Sequence, residues 1–150
     1  MLKAKDIMTR ELITVSPRTE ITHAAKLLIE KGINGVPVVD EGKLVGIICQ
    51  SDLVAQQKKF PIPSLFTILD GFIPLKTTKY MEKEFQKIAA ITVDQVMTPD
   101  PVTIQPETSI EDIANFMGDK NIHTLPVVDG EKLVGIVGKE DILRTLTPGY

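Results

Sequence analysis

The apolar positions fall into short runs with two different periods. Leu12, Ile13 and Val15, stopped by Pro17, predict a short strand over 12–15. Ile21, Ala24, Ala25, Leu28 and Ile29 then recur at helical spacing, with Thr19 placed to cap that helix and Gly32 to end it. Residues 36–39 read as a buried strand, Asp40, Glu41 and Gly42 as a tight turn, and 44–48 as the returning strand. A short helix starts at Ser51 or Asp52, and a further helical turn is expected over 6–9. The last third repeats this plan. It gives a strand over 102–104 stopped by Pro106, a cap at Thr108 or Ser109, and an apolar helix face of Ile110, Ile113, Ala114 and Met117. A hairpin over 125–128 and 133–137 turns at Asp129 and Gly130, and a helix over 140–146 closes the unit.

The two patterns are copies. Residues 8–53 align with 97–142 at a constant offset of 89 without a gap, and 19 of the 46 paired positions are identical. Such a repeat defines the structural unit. Each copy reads strand, helix, strand, strand, helix, and a helix after the first strand implies a crossover into a small mixed sheet covered by helices. The expected fold is therefore mixed α/β (α+β), built from two pseudo-symmetric β-α-β-β-α repeats over 1–57 and 92–150. About 45 residues bury too little surface to be stable alone, so the halves are expected to pack as one module.

An insert over 58–91 separates them. Its apolar load (Ile62, Leu65, Phe66, Ile68, Leu69, Phe72, Ile73 and Leu75) is too high for a plain tether. A helix is expected over 79–90, with Met81, Phe85, Ile88 and Ala89 on one side. The insert reads either as scaffold or as a ligand-responsive lid.

Composition narrows the function. The chain has 150 residues and a net charge of −3, which gives no electrostatic case for nucleic acid or an anionic membrane. No apolar stretch reaches the length of a membrane span and the N-terminus lacks a signal-peptide core, so cytoplasmic residence is expected. Cys49 is the single cysteine, which fits a reducing compartment, and without a poised base it reads as a small buried side chain. His23 and His123 are not at equivalent positions, and no metal-ligand, P-loop or dinucleotide spacing is present. No catalytic residue, metal or required cofactor is expected, and the chain does not read as an enzyme.

One repeated feature carries chemistry. G-I-I-C-Q-S-D (46–52) and G-I-V-G-K-E-D (135–141) each end a buried strand, begin a helix and share an acid, Asp52 or Asp141. Such an acid suits the positive end of a helix dipole. It also suits hydrogen bonds from a ribose diol, with nearby helix N–H groups toward phosphate and the apolar strand as a wall for adenine. Asn34 and His123 stand at matched positions before the hairpins, as polar edges of a cleft or as contacts to a base or phosphate.

With these motifs the chain resembles a tandem pair of cystathionine-beta-synthase (CBS) domains, a Bateman module of the stand-alone prokaryotic type. I-M-T (7–9) and V-M-T (96–98), V-x-P (15–17) and I-x-P (104–106), V-P-V-V-D (36–40) and L-P-V-V-D (125–129), and the paired G-I-x-x-x-x-D strings carry the likeness. The resemblance implies a regulatory module with two clefts that takes AMP, ADP, ATP or S-adenosylmethionine, forms a homodimer and acts on an unidentified effector protein. It places Asp52 and Asp141 on the ribose, and Thr14 and Thr103 on the base or phosphate. Backbone groups of Gly35, Val36, Thr124 and Leu125 would read the base, with Ser51, Lys139 and Arg144 near phosphate. The chain departs from the pattern three residues before each acid, where Cys49 and Gly138 replace a hydroxyl residue. The sites are therefore expected to be unequal, with the Asp141 site the better one because Lys139 adds positive charge. The alternative is a structural or protein-interaction dimerisation module with vestigial pockets.

Overall fold

A computed structural model describes residues 1–56, 87 and 90–147. Apart from residues 87 and 90, the expected helix over 79–90 lies outside the described residues, as does most of the insert. The elements are α1 (Ala4–Ile7), α2 (Ile21–Lys31), β1 (Gly35–Asp40), β2 (Lys43–Cys49) and α3 (Gln50–Gln56), then a 3-10 turn (Val93–Gln95), β3 (Thr98–Pro99), α4 (Ile110–Asp119), β4 (Thr124–Asp129), β5 (Lys132–Gly138) and α5 (Lys139–Thr145). The mixed fold of two like halves is thus present.

The hairpins β1–β2 and β4–β5 are antiparallel and carry a bulge at the same place, between Val38 and Val39 and between Val127 and Val128. Their turns differ because E-G in the first copy becomes G-E in the second. Glu41 (φ 50°) and Gly42 (φ 79°) both take the left-handed region, the sign pattern of a type I′ turn. In the second turn only Gly130 does (φ 65°), the sign pattern of type II′.

The first strands of the two copies shorten. In place of strands over 12–15 and 102–104, single parallel bridges join Val15 to Val38 and Ile104 to Val127. The flanking Pro17 and Pro106 each lack a ladder donor, which limits pairing to one rung. The helix starts also differ from expectation in the first copy. Thr19 does not cap α2; its hydroxyl accepts the Ser16 N–H at 3.0 Å, and Thr108 accepts the Gln105 N–H at 2.9 Å in the matching turn. Ser109 does cap α4, accepting the Asp112 N–H at 3.2 Å, but its counterpart Glu20 makes no side-chain cap.

The core has two centres. One gathers Val15, Ile21, Leu28, Val36, Val38, Ile48 and Val93. The other gathers Ala4, Ile104, Ile113, Leu125, Val127 and Val137. Ala4, just ahead of the aligned stretch 8–53, sits in the second core, and Val93, just ahead of 97–142, sits in the first. The lead-in segments cross over. Ala4 and Lys5 N–H groups donate to Thr108 and Pro106 carbonyls (2.8 and 2.9 Å), and Val93 and Asp94 donate to Thr19 and Pro17 (2.7 and 3.0 Å). The crossing continues into the sheets, where Thr9 pairs with Ile136 of β5, and β3 pairs with β2 through Thr98–Ile47 and Pro99–Gly46. Each half is therefore completed by the other.

Candidate functional site

The crossing segments form one wall of two clefts, and the strand-to-helix junctions form the facing wall. The first cleft, about 240 Å³, is bounded by Thr9, Glu11, Leu12 and Ile13, the end of α2, Gly35, Thr124 and the β5–α5 junction with Gly138, Lys139, Glu140, Asp141 and Arg144. The second, about 480 Å³, is its counterpart at the offset of 89. It is bounded by Thr98, Asp100 to Val102, Asn121 to Thr124 and the β2–α3 junction with Cys49, Gln50 and Ser51. Asn34 and Thr124 belong to both clefts, which therefore share a wall at the centre of the molecule.

Each repeated acid closes its own junction. Asp52 Oδ2 accepts the Cys49 N–H at 2.8 Å, and Asp141 Oδ2 accepts the Gly138 N–H at 2.8 Å. This is the reach-back half of a capping box, worth about 1 kcal/mol. The second carboxylate oxygens are used differently. Asp52 Oδ1 accepts the hydroxyl of Thr98 at 3.3 Å, from the crossing segment. Asp141 Oδ1 faces Arg144 one turn along α5, at 3.4 Å.

The electrostatics follow from this packing. Burial raises Asp141 above the ordinary carboxylate value, with the Gly138 N–H and the Arg144 guanidinium opposing the rise and Glu140 adding to it. Burial, helped by the charge on Asp52, pushes the Cys49 thiol up to about 11, so it is neutral at physiological pH and no thiolate nucleophile. Among the described residues no cluster of His, Cys, Asp and Glu could hold a metal ion, and no helix is long and apolar enough to cross a membrane.

The sequence-designated residues divide by location. Asn34, Gly35, Thr124, Lys139, Asp141 and Arg144 line the first cleft; Asn34, Ser51, His123 and Thr124 line the second. Asp52 is not in that second lining but is bonded to two residues that are, Cys49 and Thr98. Val36 and Leu125 are wholly buried in the cores. Thr14 and Thr103 are exposed and outside both linings. Alternation in an extended segment explains this: Ile13 and Val15, and Val102 and Ile104, turn inward, so the threonines between them turn out. The reading of the residues passed over Thr9, Thr98, Lys31 and Asp100 as cleft residues. The identical M-T pairs at 8–9 and 97–98 were the visible signal for the threonines, and the repeated Lys31 and Lys120 for the lysine.

Comparison with known proteins agrees with this geometry. The CBS domain family model matches residues 4–59 and 93–147, and the chain belongs to that family. It is 33% identical over 147 residues to the chloroplastic CBS domain-containing protein CBSX2 of Arabidopsis thaliana, covering 93% of this chain and 61% of that one. The chain thus spans under two thirds of that relative's length. An uncharacterized protein of Methanocaldococcus jannaschii is 33% identical, over 95% of this chain and 89% of its own. Among solved structures, CBSX2 in complex with AMP superposes with a TM-score of 0.71 at 30% identity, covering 97% of both chains. The CBS domain pair of protein MJ0100, in complex with 5′-methylthioadenosine and S-adenosyl-L-methionine, superposes with a TM-score of 0.72 at 31% identity, covering 97% of this chain and all of that one.

Proposed function

We propose that this chain is a non-catalytic regulatory module that senses an adenosyl ligand in the two clefts between its CBS repeats. The observation that carries this is the pair of matched clefts, each closed by a strand-to-helix junction whose acid is held at a fixed orientation by its own backbone. A carboxylate with one oxygen anchored to its own backbone and the other in only a long contact, with Thr98 or Arg144, suits a ribose diol, and the apolar walls suit a purine. The structures of relatives with AMP, 5′-methylthioadenosine and S-adenosylmethionine support the ligand class. Asp141 is the preferred ribose partner because it lines its cleft directly, and Arg144 and Lys139 stand beside it for phosphate. The module acts as a cytoplasmic homodimer on an effector protein and needs no cofactor.

Isothermal titration of the purified chain with AMP, ADP, ATP and S-adenosylmethionine tests this. Binding of at least one ligand, lost in D141A or D52A with the fold intact, is expected. No binding up to millimolar concentration would leave the interaction-module reading, which the missing hydroxyls at Cys49 and Gly138 favour.

A further inference from the structure

We propose that the two clefts sort adenosyl ligands by charge: the Asp141 cleft takes a phosphorylated one, and the Cys49 cleft takes one without phosphate. This rests on the adenosyl reading above. The Asp141 cleft is lined by three cations, Lys31, Lys139 and Arg144, which offset its acids Glu11, Glu140 and Asp141. Arg144 is partnered by Asp141, while Lys31 and Lys139 make no ion pair among the described residues. These are the groups a phosphate monoester, carrying about two negative charges, requires.

The Cys49 cleft has lost each of the three for a separate, traceable reason. Lys31 corresponds to Lys120, which is kept but placed elsewhere, with its ammonium 5.6 Å from the centre of the Phe116 ring. The residue matching Phe116 in the first copy is Leu27, which offers no ring. Lys139 corresponds to Gln50, whose amide nitrogen donates to the Ile33 carbonyl at 3.1 Å. Arg144 corresponds to Ala55. No Lys or Arg remains in the described lining of that cleft, which keeps an acid, Asp100, at the position of Glu11 in the first cleft. A phosphate there would meet Asp100 with no Lys or Arg to offset it, and His123 as the one side chain of the described lining able to carry a positive charge, which opposes its binding. Ile47, Cys49, Val54, Val102 and Ile122 supply the apolar part of the lining, beside neutral polar groups such as Ser51 and Asn121, which suits an uncharged adenosyl thioether or nucleoside.

Calorimetric titration of the full chain with AMP and with 5′-methylthioadenosine, singly and each in the presence of saturating amounts of the other, tests this. Both are expected to bind at once, one of each per chain. Lys139→Gln is expected to weaken AMP by about tenfold or more, the loss of a charge-assisted contact, and to leave 5′-methylthioadenosine within about twofold, since that cleft does not include Lys139. Gln50→Lys, at an exposed position, restores the missing cation and is expected to admit a second AMP per chain. Competition between the two ligands for one site, or an equal loss of both in Lys139→Gln, overturns the sorting while leaving adenosyl binding in place. Failure of both to bind at millimolar concentration overturns the adenosyl reading and the sorting with it.

Discussion

The sulfur of Met97 lies 2.5 Å from where a Cβ on Gly46 would stand, and Met8 is set against Gly135 in the same way. The methionine of each crossing segment thus packs onto a bare backbone in the other repeat's hairpin. This contact links the I-M-T and V-M-T motifs to the two G-I motifs.

G46A and G135A are therefore expected to destabilise by overpacking, at a cost of about 1–3 kcal/mol, read in thermal unfolding as about 2–4 °C for each kcal/mol. G46A should cost more, because its Cβ also meets the backbone oxygen of Thr98 at 3.0 Å, whereas every near atom at Gly135 belongs to the Met8 side chain. M97A should cost less in the G46A background than in the parent chain. Strict additivity of the two substitutions would show that the contact is not the cause.

Asp141 carries a raised pKa because it is buried, so its charged form is the disfavoured one. Its stabilising contribution is complete below the ordinary value of 3.8 and is lost as pH rises through the higher folded value. Denaturant unfolding of the parent and of D141N across that window should show D141N gaining relative to the parent as pH rises. A difference that stays flat, or that slopes the other way, would contradict the burial account.

Glu107 has the opposite sign. Lys3 and Lys5 reach it from the crossing N-terminal segment at 2.6 and 2.7 Å and hold its carboxyl down to about 2. Its contribution is present above the ordinary value of 4.5 and is lost as pH falls through about 2. An NMR titration of the carboxyl carbon should give a midpoint near 2 in the parent and move toward 4.5 in the K3A/K5A double variant. An ordinary midpoint in the parent would mean that the segment is not held by these pairs.

Cys49 should resist thiol reagents at neutral pH, since its thiol titrates at about 11. D52N removes the charge that helps to raise it and should lower the midpoint of thiolate absorbance, with burial still keeping it above the ordinary 9.0. Rapid labelling of the folded parent chain at neutral pH would overturn this placement.

Much of the fold was legible in the residues. Alternating and helical apolar periods located both hairpins and the main helices, because local burial depends on local spacing. The starts of α2 and of the first strands were less legible. Thr19 and Ser109 look alike as caps, and a run such as 12–15 looks like a strand whether or not a partner lies beside it. Of the candidate site, the acids at the junctions were visible as repeated letters. Their hydrogen bonds to Cys49 and Gly138 follow from a capping spacing, whereas the residues alone read as helix charge or as a ribose contact.

By itself the sequence determined the repeated unit, its mixed architecture and the two acid-bearing junctions, because each rests on spacing within a few residues. Only the tertiary structure decided that Ala4 completes the second core and Val93 the first, that Thr98 bonds Asp52 while Asp141 takes Arg144, and that Lys120 stands over Phe116 instead of lining a cleft. The reason is physical. Two copies of one motif present nearly equivalent surfaces, so the pattern that makes a segment dock on a hairpin does not say which hairpin. That choice belongs to the packing of the whole chain, and the clefts lie between the halves that it joins.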